Sequence, residues 1–132
     1  MKLIDIARVC YDTNRSFCIA TGDVVPPAWE DAQETAVAGY LKGVEFRIAN
    51  PMSPAQAQHD LWCKARKAEG WIYGPEKDEE TQQHPNLVPY TALPMAQRLK
   101  DTLFKNTVVA LAPLYFAAKP EEDRLAAPAP VL

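Results

Sequence analysis

The chain has 132 residues, of which 48% are hydrophobic, 23% charged and 9% aromatic, the make-up of one globular domain; wholesale disorder is excluded. Lys and Arg number 14 against 17 Asp and Glu, so the net charge is −3. That balance lacks the broad basic footprint of a general nucleic-acid binder, although a small anion can still sit in a local basic pocket.

Apolar residues at Leu3, Ile6, Cys10, Thr13, Phe17 and Ala20 recur at three- and four-residue spacing and predict a first helix over 3–20. Thr21-Gly22-Asp23 ends it, and Val24-Val25-Pro26-Pro27 reads as an extended linker. A second helix is expected from Trp29 or Asp31 to Ala49, burying Ala36, Val37, Tyr40, Leu41, Val44 and Ile48. Gly39 and Gly43 lie inside it where another helix approaches closely. Ser53-Pro54-Ala55-Gln56 reads as a capping box that opens a third helix, which runs to Glu69 with Gly70 as its C-cap. Trp71-Ile72-Tyr73-Gly74 and Asn86-Leu87-Val88-Pro89-Tyr90 are β-prone and predict a small ribbon, its second strand an edge because of Pro89. A fourth helix is expected from Pro94 to about Leu111, with Leu99, Leu103, Thr107 and Ala110 inward and Phe104, Val108 and Leu111 beside them. The Ala- and Pro-rich segment 117–132 reads as a disordered tail behind a single domain over 1–116.

Catalytic signatures are missing: the sequence has no GxSxG, Walker loop, GxGxxG or HExxH. Cys10, Cys18 and Cys63 form no CxxC pair and lack a His at zinc spacing; they read as free thiols, two of them on helix core faces. No metal and no cofactor are expected. His59 and Cys63 are four apart on one helix, which reads as a core Cys beside a surface His. No signal peptide and no transmembrane helix are expected, and the protein is placed in the cytoplasm.

The pattern that points to binding is His59, Trp62 and Arg66 at i, i+3, i+7 on the third helix, one stripe of its surface. An indole can stack on a planar ring, a guanidinium can fork onto phosphate, and an imidazole can supply a hydrogen bond. The plainer reading packs Trp62 in the core and leaves the polar pair in solvent. Trp71 and Tyr73 share one strand face, with Trp71 read as packing. Lys77, Asp78 and His84 fall in a polar loop whose default is solvation.

The ordered series His59-Asp60-Leu61-Trp62, Arg66, Gly70-Trp71-Ile72-Tyr73-Gly74-Pro75, Lys77-Asp78, His84-Pro85-Asn86-Leu87-Val88-Pro89-Tyr90 and Leu93-Pro94 resembles the RyR repeat. This small domain is repeated in the cytoplasmic shell of ryanodine receptors and occurs singly in bacterial and phage proteins. Ala7-Arg8-Val9-Cys10, Asn14-Arg15, Trp29, Gly43-Val44-Glu45-Phe46, Asn50-Pro51 and Lys100-Asp101-Thr102-Leu103-Phe104 resemble the single-domain phage and bacterial version. The likeness extends from about Ile6 to Leu114. Asn86 stands where the family often has Cys, and Tyr11 where the phage type often has His.

The resemblance implies a mainly α fold with a small β ribbon (α+β), built of antiparallel helices. It also implies an adenine-nucleotide site. In the receptors, Trp residues of two tandem H-x-x-W motifs flank the base and an Arg one turn on faces phosphate. Carried over, the candidate ligand-binding residues are His59, Trp62, Arg66, Tyr73, Lys77, His84, Asn86 and Tyr90. With one H-x-x-W per chain, a homodimer is expected to bring two Trp62 rings together. The function expected is non-enzymatic binding of an adenine-type nucleotide in a bacterial host's cytoplasm. A phage-encoded sponge for an antiviral signalling nucleotide fits that expectation, with no nucleic-acid polymer or membrane as partner. The alternatives are a protein-interaction module, using an edge strand near Tyr90 and the basic helix 64–67, and a nucleotide hydrolase, for which Glu69, Glu76 and Asp78 are the only nearby acids.

Overall fold

A computed structural model of the chain describes residues 1–123; the rest of the expected tail, 124–132, lies outside the described residues. Helix α1 spans Leu3–Thr21 and buries Ile6, Ala7, Cys10, Tyr11 and Cys18. Of the expected stripe only Ile6 and Cys10 are buried; Leu3, Thr13 and Phe17 are half-buried and Ala20 is exposed, because the inward face is turned toward Ala7, Tyr11 and Cys18. The left-handed Gly22, φ 73°, closes it, and the Asp23 N–H reaches back to the Cys18 carbonyl at 3.0 Å. Tyr11 and Arg15 then pin the diproline, donating to the Pro27 and Pro26 carbonyls at 2.7 and 3.1 Å. Tyr11 is thus a core and linker residue, which accounts for its place.

The second helix is divided. A 3-10 turn covers Trp29–Asp31, Ala32 and Gln33 are extended, and α2 spans Glu34–Ala49. The turn is held to α1 rather than to α2: Trp29 packs edge-on against Tyr11 at 5.4 Å, and Glu30 accepts from Arg8 at 2.5 Å. Val44 and Ile48 are buried as expected, and Gly43 and Arg47 join them. A Cβ on Gly43 would lie 2.9 Å from the Phe104 ring, whereas Gly39 faces open space, so only one of the two glycines serves a close approach. Arg47 is fully buried, with Nε donating to Gln58 at 2.9 Å and its Nη groups to the carbonyls of Asn50, Ser53 and Pro54.

Those bonds replace the expected capping box. Helix α3 spans Gln56–Ala68 and has no side-chain cap; the loop before it is organised through its carbonyls, which Arg47 gathers. At its far end Gly70, φ 95°, makes a Schellman closure, with Trp71 N–H to the Arg66 carbonyl and Gly70 N–H to the Lys67 carbonyl, both at 3.0 Å.

Strand β1 is Ile72–Tyr73, as predicted, but its partner β2 is Gln83–His84, parallel, with Ile72 opposite Gln83 and Tyr73 opposite His84. The expected second strand over 86–90 does not form. Pro85 and Pro89 have no N–H for a ladder, and the segment instead lies against α3, with Leu87 buried and Tyr90–Ala92 in a 3-10 turn. Helix α4 spans Met95–Ala118, with Pro94 as its cap, and it passes Pro113 instead of stopping near Leu111. Pro113 and Val109 are both exposed, so water can serve the carbonyl that the proline leaves unpaired. The face turned inward is Phe104, Val108, Leu111 and Tyr115; Leu99 and Ala110, expected in the core, are exposed.

The core joins α1, α2 and α4 through Ile6, Ala7, Cys10, Val44, Ile48, Val108 and Tyr115. Helix α3 packs against α4, α2 and the Tyr90–Ala92 turn, and it carries the sheet with it. Cys10 and Cys18 are buried free thiols; burial pushes Cys10 up to about 12.

Candidate functional site

Along α3, the predicted stripe separates by depth. His59 is only 4% exposed, and its Nε2 lies 2.7 Å from the Val88 carbonyl, which can only accept, so Nε2 carries the proton. Cys63 Sγ is 3.3 Å from the same nitrogen and half-buried. The pair is therefore the reverse of a core Cys beside a surface His, because the His holds the loop that crosses α3. Burial raises the Cys63 thiol, which disfavours the thiolate. One turn on, Trp62 is half-buried, with the His59 ring stacked behind it at 5.9 Å and 27°. Arg66 follows at the surface, 3.1 Å from Glu69, with its Nε buried and unpartnered.

These residues open onto a crevice of about 430 Å³. Helix α3 supplies Trp62, Arg66 and Glu69; the sheet and its loop supply Trp71, Lys77, Glu79, Gln82 and His84; Gln33, Thr35 and Ala36 close the side at the start of α2. The His84 ring stands edge-on to Trp62 at 4.9 Å and tilted to Trp71 at 6.3 Å, so two indoles and one imidazole share the wall. Lys77 lies 3.5 Å from Glu79, so both cations of the rim come with a carboxylate.

His84 is held low, at about 4, by burial and by the Lys77, Lys100 and Arg66 charges, so its ring is neutral at pH 7. Its Nδ1 accepts the Asn86 N–H at 3.0 Å. The Asn86 side chain donates to Gln97 Oε1 at 2.9 Å, and Gln97 Nε2 donates to Asp23 at 2.8 Å. Lys100 also donates to Asp23 at 2.8 Å, and these two hydrogen bonds hold the carboxyl down at about 2.

Of the candidates from sequence, Trp62, Arg66, Lys77 and His84 meet on the crevice. His59 stands behind Trp62, and Asn86 behind His84. Tyr73 is 60% exposed and off the wall, and Tyr90 packs on His59 at 6.0 Å with the Arg98 guanidinium over its ring. Trp71 is buried, as packing requires, yet it also lines the crevice. Gln82 is the one non-glycine residue at positive φ among those described, at 52°; its loop gives no sequence signal for it, and none marks Gln33 or Thr35.

Chemically, the crevice offers ring faces for a planar group and two cations for an anionic one. Among the described residues, no group of three or more His, Cys, Asp or Glu is placed to hold a metal ion, and no helix is long and apolar enough to cross a membrane.

The fold and site define a mainly α-helical domain with a small parallel sheet and an aromatic crevice rimmed by charge. The sequence matches the RyR domain over residues 48–114, from the end of α2 through α3 and both strands into α4, and the chain belongs to that family. The matched segment contains all eight candidate residues and Trp71.

Proposed function

We propose that the crevice binds a small adenine-type nucleotide and does not turn it over. The observation that carries this reading is Trp62, half-buried beside a cavity of about 430 Å³ and backed by His59 instead of enclosed in the core. That volume suits a small-molecule site. A base can stack on the Trp62 indole while Arg66 and Lys77 face its phosphates, and membership of the RyR family supports the same assignment. Trp71 gives each chain a second indole on the crevice wall, so binding by one protomer alone is one arrangement proposed; the homodimer with two Trp62 rings about one ligand is the other. Ligand stoichiometry and sedimentation decide between them: one ligand per monomeric chain supports the first, one per dimer the second.

A binder of this kind suits a phage-encoded sponge that removes an antiviral signalling nucleotide from the host cytoplasm. The protein-interaction alternative uses an edge strand near Tyr90 and the basic helix 64–67; the first is a 3-10 turn packed on His59, while Lys64 and Lys67 are exposed on α3 and keep that part of it open to test.

The test is calorimetry and thermal shift with ADP-ribose, cyclic ADP-ribose isomers, ATP and cyclic dinucleotides. At least one is expected to bind, and Trp62→Ala is expected to weaken that binding by about tenfold to a hundredfold, the worth of one stacked base. No response to any of them overturns the reading.

A further inference from the structure

His84 is the crevice residue whose hydrogen-bonding sense is set from outside the crevice. The setting begins at Asp23, just past the end of α1. A carboxylate only accepts, so the Gln97 group 2.8 Å from it is the amide nitrogen, as the Lys100 group is the ammonium. The Gln97 oxygen is thereby turned to Asn86 and accepts from its side-chain amide at 2.9 Å. Asn86, held by that bond, directs its backbone N–H at His84 Nδ1 from 3.0 Å. A backbone N–H only donates, so Nδ1 presents its lone pair, and the neutral ring carries its proton on Nε2. Nε2 makes no hydrogen bond to any described residue, and the ring lines the crevice beside Trp62.

We propose that Asp23, Gln97 and Asn86 are positioning residues that fix His84 as a neutral hydrogen-bond donor, so that the crevice takes its ligand through an acceptor atom: an unprotonated ring nitrogen or a carbonyl oxygen of the base. This rests on the nucleotide reading above and deepens it. Arg66 and Lys77 are donors as well, whereas Glu69 and Glu79 accept and Gln33, Thr35 and Gln82 can do either; at His84 itself a base edge that presents an N–H is disfavoured. The relay draws on the linker after α1, on α4 and on the loop after β2, three segments that meet only in the folded chain.

The test uses the full chain, with ADP-ribose and ATP as probes in calorimetry and ring nitrogen shifts of His84 recorded by NMR without ligand. At pH 7 the His84 ring is expected as the Nε2–H tautomer. Gln97→Leu and His84→Ala are each expected to weaken probe binding by about tenfold, and the double variant to be no weaker than His84→Ala alone. His84→Gln, whose amide nitrogen reaches close to the place of Nε2, is expected to recover most of the affinity. Asn86→Ala removes the same link from a loop; it is expected to behave like Gln97→Leu and takes its place if that variant fails to fold.

An Nδ1–H ring, losses that add, or a His84→Ala protein that binds like the wild type overturns the assignment; loss on Trp62→Ala then still upholds the nucleotide site. A wild-type chain that binds neither probe overturns both.

Discussion

Arg66 reaches the crevice with its guanidinium 3.1 Å from Glu69 and its Nε buried without an acceptor, so one acid already occupies the group that an anion would need. Both side chains are partly solvent-exposed, and such a pair is worth only about 1 kcal/mol or less. Glu69→Gln keeps the size and removes the competing charge. It is expected to tighten binding of an anionic nucleotide by about threefold, read by calorimetry; weaker binding instead assigns Glu69 the role of holding Arg66 in place. Helical spacing makes Trp62 and Arg66 legible as one stripe, because i and i+4 share a face. His59 is on the same stripe and yet buried. What covers it is the Val88 carbonyl, 29 positions along the chain, and no local pattern signals that contact.

Among the elements, the short sheet holds the crevice wall in register, and Gly74 is its tightest point. A Cβ there would stand 2.5 Å from the Cβ of Gln83 and 2.4 Å from its side-chain oxygen. The first of these contacts is close to the backbone and cannot swing away. Gly74→Ala is therefore expected to destabilise the protein by about 1–3 kcal/mol in urea unfolding and to weaken nucleotide binding through the neighbouring His84. Unchanged stability and affinity would show that β2 is free to shift. Gly70 and Gly22 are legible as helix stops because a left-handed residue is needed there. Strand β2 is not, since two residues carry no alternation and polar Gln83 and His84 resemble a loop. Helix α4 is read too short for a related reason: Pro113 is a stop signal locally, and it is tolerated where the orphaned carbonyl meets water.

For the whole molecule, two half-buried ionisable groups drive stability in opposite directions as pH changes. His84, depressed to about 4 from an ordinary 6.5, stays neutral while the unfolded chain takes up a proton. Stability from this source is complete above that ordinary value and is lost as pH falls towards 4. Asp101, raised to about 7 from 3.8 chiefly by burial and also by the Asp60 charge, keeps its proton folded after the unfolded chain has released it. Its contribution falls as pH rises through that window. The two slopes oppose each other, so the urea midpoint of the wild type is expected to change little between about pH 4.5 and 6.5, whereas Asp101→Asn is expected to show a midpoint that climbs with pH. A flat profile in the variant would show that His84 titrates normally. Below that range Asp23, held at about 2, adds a further loss as its pairing with Lys100 and Gln97 is protonated away.

Taken alone, the amino-acid order determined four helices, the Gly22 and Gly70 stops, β1, the burial of Ile6 and Cys10 on α1 and the family series from His59 to Pro94. Each follows from contacts within a few residues or from an ordered motif. Only the tertiary structure decided that Arg47 is buried, that β2 lies at Gln83–His84, that Trp71 and the start of α2 share a crevice with Trp62, and that Asp23 bears on His84 through Gln97 and Asn86. Those outcomes depend on groups brought together from distant parts of the chain, where burial makes each polar atom find a partner that no local spacing encodes.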